Sequence, residues 1–265
     1  MRFLIPLTLT IASAIGAPAW ESELSSPTPG SYKAISSSTL DFTISWEGMV
    51  QAGTLKIDFA PKDVKKLGSF VIKSSASSQG AAASLFPYNF NYWSEISPST
   101  LTSQYFTSTE EDAEEKIVTT NRFSSSNVGV VEITTALKNK SVETQSFTFP
   151  YGAARDMFSA ILYIRSQKLA PSEQHTLLLL PFKTPYLLKV RVEAKEKHLG
   201  RDALRLSFAL RKIDRKTLEL SRYKKLKKPV TVWLSDDADR IPIELRASVY
   251  IGDVRAILTG FSKNP

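Results

Sequence analysis

Apolar residues recur at every second position over most of this chain. Leu40, Phe42, Ile44 and Trp46 alternate with polar residues, as do Leu55, Ile57 and Phe59. Later come Leu188, Val190 and Val192, then Leu204, Leu206, Phe208 and Leu210, then Val230, Val232 and Leu234. Ile243, Leu245, Ala247, Val249 and Ile251 share one parity, and Val254, Ala256 and Leu258 follow. A period of two puts one parity on one face of a sheet, and glycines between such runs predict antiparallel neighbours. Leu101 to Thr109, Glu115 to Phe123 and Val128 to Ala136 read as further strands. A Ser- and Ala-rich break over 74–84 precedes them. Leu177 to Leu180 is a continuous apolar run, predicted to be a strand buried on both faces. The like charges of Glu110 to Glu115 predict an exposed turn. Pro229 fits a strand start, and Gly252-Asp253 a two-residue hairpin turn.

One segment departs from this period. Between Arg155 and Lys168, and on to Leu169, apolar residues fall at helical spacing: Met157, Phe158, Ile161, Leu162, Ile164 and Leu169. Asp156 in the first turn and Lys168 in the last suit the helix dipole, and Pro171 ends the run. The expected fold class is mainly β: an antiparallel curved sheet, sandwich or open barrel of about a dozen strands with one amphipathic helix laid on it by its apolar face.

The N-terminus follows a different pattern. Met1-Arg2 is a short positive start, Phe3 to Ile15 is apolar, and Ala17-Pro18-Ala19 puts small residues where a signal peptidase reads. The pattern predicts a signal peptide over 1–19, cut after Ala19. Residues 20–38, rich in Ser, Pro and Gly, read as a flexible leader into a single β-rich domain over 39–265. No other stretch reaches the roughly 20 apolar residues of a membrane helix, so no transmembrane anchor is expected after cleavage. The chain has no cysteine, which excludes disulfides, a lipidated cysteine and a cysteine nucleophile. A bacterial periplasmic or secreted protein is expected.

The formal charge is +8. Much of the excess lies in Arg211, Lys212, Arg215, Lys216, Arg222, Lys224, Lys225, Lys227 and Lys228, offset there by Asp214 and Glu219. An exported chain seldom meets nucleic acid, so this patch suits anionic lipid headgroups or acidic envelope polymers, or guards an edge strand. It is also a candidate docking surface for an assembly partner.

Three segments together resemble the bacterial family called domain of unknown function 3108. They are Phe42-Thr43-Ile44-Ser45-Trp46-Glu47-Gly48 with Ala52-Gly53; the helix segment Asp156 to Arg165; and Trp233-Leu234-Ser235-Asp236-Asp237 with Arg240-Ile241-Pro242-Ile243 and Ile251-Gly252. The resemblance implies an exported, β-rich envelope protein. It implies no reaction and no catalytic residues.

The residues themselves offer sparse chemistry. There are two histidines, His175 and His198, and neither HExxH nor Gly-x-Ser-x-Gly spacing occurs. His198, beside Leu199-Gly200, reads as an exposed hairpin residue, and His175 as the opening of a strand. Asp236, Asp237 and Asp239 could serve a hydrolase or bind a hard cation, although turn aspartates commonly bond their own backbone, with Arg240 pairing locally. Asp156, Tyr163 and Arg165 form a candidate polar cluster on the helix, against a plain helix cap. Tyr88, Tyr92 and Trp93, with Phe90, are candidates for a ligand mouth, against core packing. No cofactor is expected. The expected function is non-enzymatic binding of an envelope lipid or glycan in a groove between sheet and helix. The alternatives are a hydrolase of envelope polymers or a scaffold.

Overall fold

The computed structural model describes residues 17–32, 36–61, 66–249 and 252–263. The apolar run Phe3 to Ile15 lies outside the described residues. Fifteen strands form one antiparallel sheet. The first eight are β1 (Ser38–Trp46), β2 (Val50–Phe59), β3 (Phe70–Ser78), β4 (Tyr88–Ile96), β5 (Ser103–Asp112), β6 (Glu115–Phe123), β7 (Val128–Ala136) and β8 (Val142–Phe149). A helix, α1 (Gly80–Leu85), lies between β3 and β4, and the long helix, α2 (Met157–Ser166), follows β8. Then come β9 (Gln174–Leu179), β10 (Tyr186–His198), β11 (Arg201–Ile213), β12 (Leu220–Arg222), β13 (Val230–Ser235), β14 (Pro242–Val249) and β15 (Gly252–Lys263). In space the order runs β8 back to β1, then β15, β14, β13, β11, β10 and β9, with β12 paired to β11. The first and last strands are thus neighbours in mid-sheet, from Ser38 opposite Lys263 to Trp46 opposite Val254. That pairing makes the two halves one sheet.

The sheet winds around α2. Phe158 and Leu162 pack with Leu40, Phe42, Phe59, Ile72, Ile96 and Phe106 of the first half. Ala160, Tyr163 and Ile164 pack with Leu177, Leu188, Val190, Leu204 and Val232 of the second. Eight of the ten helix residues are buried. The apolar stripe expected to lie on one sheet face is therefore covered from both sides. Each large side chain so buried contributes about 1.5–3 kcal/mol relative to exposure.

Beyond α2 the sheet overlaps itself. Leu177 and Leu188 face the helix, whereas their neighbours Leu178 and Leu187 join Val128 and Val130 of β7 and Phe149 of β8 in a separate cluster. Thus β9 and β10 are sandwiched, which is why Leu177 to Leu180 is apolar without alternation. Polar groups pin the overlap. Asn121 Nδ2 donates to the carbonyl of Leu180 at 2.7 Å, and Lys183 meets the buried carboxylate of Glu132 at 2.5 Å.

The segment expected to be a flexible leader is docked over 19–32. A 3-10 turn, Ala19–Glu23, buries Trp20 in the overlap cluster, and its indole Nε1 donates to the carbonyl of Leu218 at 2.8 Å. The amide of Ser25 donates to the carbonyl of Thr176 at 2.9 Å, and Arg155 pairs with Leu179 as an isolated bridge. Together these cover the open edge of β9, which bare would template aggregation. Gly30 sits against α2, where a Cβ would come within 2.1 Å of the carbonyl oxygen of Ser166. The Ser/Pro/Gly composition predicted mobility, but these residues lend the backbone groups that meet the helix.

Other expectations shift with the register. The acidic block is mostly strand: Glu110, Glu111 and Asp112 belong to β5 and Glu115 opens β6, because each faces a hydrogen-bonded neighbour. β3 runs through Ser78 and α1 takes up 80–84, so the Ser- and Ala-rich break is strand in its first half and helix in its second. Gly252 and Asp253 pair with Val249 and Ser248 inside the β14–β15 ladder, so the hairpin turn expected at 252–253 is not there. Trp20→Ala should cost about 3–5 kcal/mol in urea-monitored unfolding, since it empties a buried aromatic position. A loss below about 1 kcal/mol would mean that the segment merely rests on the surface.

Candidate functional site

Alternation along β4 sorts the aromatic cluster onto two faces. Tyr88, Phe90 and Tyr92 share the inward parity. Phe90 stacks on Tyr92 with ring centroids 4.0 Å apart, and Tyr92 meets Phe106, Phe158 and Phe182 edge-on or tilted. The hydroxyls of Tyr88 and Tyr92 both donate to Glu110 Oε1, at 2.8 and 2.5 Å. Burial, followed by the Glu110 charge, pushes both phenols above their ordinary range. Tyr92 is core, and the groove expected between sheet and helix is filled by Phe158, Leu162 and Phe182.

Trp93 faces the opposite way, over a groove of 660 Å³ lined by Lys66, Glu95, Gln104, Tyr105, Thr107 and Arg122. Its indole Nε1 donates to Glu95 Oε1 at 2.9 Å, and Lys66 pairs with the other oxygen of that buried carboxylate. Lys73 lies over the Trp93 ring at 5.6 Å, and Arg122 over Tyr105 at 5.2 Å. Further along β4 the outward side chains Asn89 and Asn91 join Thr43, Thr54, Lys56, Ser75 and Ser77 around a second groove of 540 Å³. The outer face of β2 to β6 therefore carries aromatic platforms, amides, hydroxyls and a cationic surround.

Asp156, Tyr163 and Arg165 are not brought together. Asp156 is the N-cap of α2. Its Oδ1 accepts from the amides of Phe158 and Ser159 at 2.7 and 3.0 Å, and Oδ2 from Ser94 Oγ at 2.9 Å. Complete burial raises its pKa, opposed by these hydrogen bonds. Tyr163 donates to the carbonyl of Ser26 at 2.7 Å and lies under the Arg155 guanidinium at 4.7 Å. Arg165 is buried at the other helix end, where Nη2 donates to the carbonyl of Asp239 at 2.7 Å and the guanidinium lies over Phe59. Burial lowers its pKa to about 10. All three hold the helix in place.

The β13–β14 turn is structural in the same way. Asp237 Oδ1 accepts from Ser235 Oγ and from the amides of Asp239 and Arg240, within 2.8–3.0 Å. Asp236 pairs with Lys195 at 2.9 Å and Asp239 with Lys263 at 2.7 Å. The three carboxylates serve separate partners, and among the described residues no acidic or histidine cluster is arranged for a metal. Arg240 does not pair with an aspartate. It donates to the carbonyls of Arg165 and Gln167, capping the last turn of α2, and lies 3.5 Å from the Tyr32 ring. His198 is not an exposed hairpin residue. It stacks on Trp233 at 4.1 Å and shares a 2.7 Å hydrogen bond with the buried Glu244, which also accepts from Arg246. Cross-strand register creates this group, so spacing in the sequence could not reveal it. The nine cations of 211–228 are exposed around β12, and among the described residues none forms an ion pair. Arg215 lies over the ring of Phe147.

The family model "Protein of unknown function (DUF3108)" matches residues 41–259. The chain belongs to this family. The segments that carry the resemblance meet in space: Phe42 shares a cluster with Phe158 and Leu162, and α2 exchanges hydrogen bonds with Asp239 and Arg240. Gly252, at φ +130°, lies so close to β1 that a Cβ would stand 2.4 Å from Trp46 Nε1. In this chain these segments help to wind the sheet on its helix. No curated protein matches in sequence. Among solved structures, a beta-barrel-like protein of domain of unknown function DUF1849 from Brucella abortus is similar, with TM-score 0.55 and 8% identity over 87% of this chain and 98% of that one. That likeness is one of fold. Among the described residues no helix is long and apolar enough to cross a membrane.

Asp156→Ala should cost about 2–4 kcal/mol, from the lost cap and the stranded Ser94 hydroxyl. Because the folded-state pKa of Asp156 lies above its unfolded value, its contribution is full in acid and is lost as the pH rises through the folded pKa. Asp156→Asn cannot ionise. In urea titrations from about pH 4 to 8, stability should therefore shift in favour of Asp156→Asn as the pH rises. A gap that does not change with pH would count against this assignment.

Proposed function

We propose that this chain is an exported, non-enzymatic binding protein of the bacterial periplasm, and that the outer face around Trp93 takes an acidic envelope glycan. The observation that carries the reading is the groove itself. It offers two aromatic rings for sugar faces, the carboxylate of Glu95 and the amide of Gln104 for hydroxyls, and Lys66 and Arg122 for negative charge. The polar groove along Asn89 and Asn91 extends the same face, giving a polymer room to lie. Export is supported by the tripartite N-terminus and by burial that begins at Trp20, just beyond the exposed Ala17 and Ala19.

Two measurements test the reading. Intact mass of the protein recovered from a bacterial periplasm should correspond to a chain beginning at Trp20. Retention of the starting mass in that fraction would reject the cleavage. In co-sedimentation with purified peptidoglycan, the parent should pellet, and Trp93→Ala and Arg122→Glu should each weaken binding about tenfold. Equal pelleting of parent and both variants would remove this face from the function.

A further inference from the structure

The register gathers several connections along one rim of the sheet. Pairing of Trp46 with Val254, of Gly53 with Ser78 and of Tyr88 with Asp112 sets the β1–β2, β3–β4 and β5–β6 connections side by side with the end of β14 and the start of β15. The long β11–β13 connection joins them, because Leu226 bridges to Val249 and the amide of Lys227 donates to the carbonyl of Ser248. Two properties meet there. The β1–β2 turn and α1 present Met49 at 83% exposure, Leu85 at 71%, Phe86 at 61% and Val50 at 54%. No residue of α1 is buried, although it stands against β2 through the amide of Gln79 on the carbonyl of Ala52. Beside the end of β14 come Lys224, Lys225, Lys227 and Lys228, all exposed.

Large apolar side chains clustered at loop tips are uncommon on a surface that meets water alone. Beside a row of lysines without ion pairs among the described residues they match one kind of partner: an anionic bilayer surface, where apolar tips enter the headgroup region and ammonium groups meet lipid phosphates. We infer that this rim docks the protein edge-on to an anionic membrane leaflet, with Met49, Leu85 and Phe86 inserted and Lys224 to Lys228 on the headgroups. The β5–β6 turn, with Asp112 and Glu114, lies on the far side of α1 from the lysines. It tilts the acidic side away and gives the docking a sense. The inference does not need the Trp93 groove, which is built from other residues.

The test is flotation of the parent protein with phosphatidylcholine vesicles, with and without phosphatidylglycerol. The parent should float with the phosphatidylglycerol vesicles and be released by salt. Both Met49→Ser/Leu85→Ser/Phe86→Ser and Lys224→Glu/Lys225→Glu/Lys227→Glu/Lys228→Glu should lower the bound fraction about tenfold or more. All the altered side chains are exposed, so circular dichroism and the thermal midpoint should match the parent. The single Phe86→Ser serves if the triple variant does not fold. Every protein compared carries the same N-terminal residues, so differences in flotation report the rim. Failure of the parent to float, or equal flotation of parent and variants, overturns the inference. So does self-association in analytical ultracentrifugation that Phe86→Ser abolishes, which would assign the rim to a second copy. Trp93→Ala should float like the parent, so the groove and the rim fail separately.

Discussion

The winding of one sheet around one helix is the constraint on which the rest of the molecule depends. A ten-residue helix with eight buried residues cannot be satisfied by one sheet face. Phe158 and Leu162 need the first half of the chain, and Tyr163 and Ile164 need the second. The β1–β15 pairing brings both halves to the helix at once. Its ends are then tied down by charged groups used as hydrogen-bonding devices: Asp156 at the first turn, Arg240 at the last, and Arg155 and Arg165 beside them. Buried cations without carboxylate partners are costly, and here backbone carbonyls and aromatic faces offset the desolvation.

This arrangement moves the plausible sites of action to the outside. The interior beside the helix is occupied, so the proposed binding surfaces are the outer face of β2 to β6 and the connections along the rim. Groups that looked chemical, such as the turn aspartates and the helix polar residues, turn out to support the fold. Among the aromatic and apolar groups that face solvent are Trp93 and Tyr105 on one side and Met49, Leu85 and Phe86 on the other. They sit on regular strands and their connections, where rigid backbone can present them.

Much of the fold was legible before any coordinates. Alternation located most strands, helical spacing located α2, and the unbroken Leu177 to Leu180 run announced a strand covered on both faces. The acidic block misled because charge repulsion was weighed without the strand partners that spread those charges along a ladder. The leader misled because Ser, Pro and Gly report local stiffness, whereas Trp20, Ser25 and Gly30 are held by groups more than a hundred residues away.

By itself, then, the sequence determined the class of fold, the long helix α2 but not α1, and the absence of cysteine chemistry. It did so because period and composition are local properties of a chain. Tertiary structure decided which parity faces the helix, which polar residues support it, and that Trp93 stands outside with Tyr105 while Tyr92 turns into the core. It also decided that His198 meets Trp233 and Glu244, and that lysines of one connection share a rim with apolar tips of another. Those facts depend on cross-strand register and on the overlap of the sheet's two edges, which are set by packing over the whole domain and leave no mark at any single spacing.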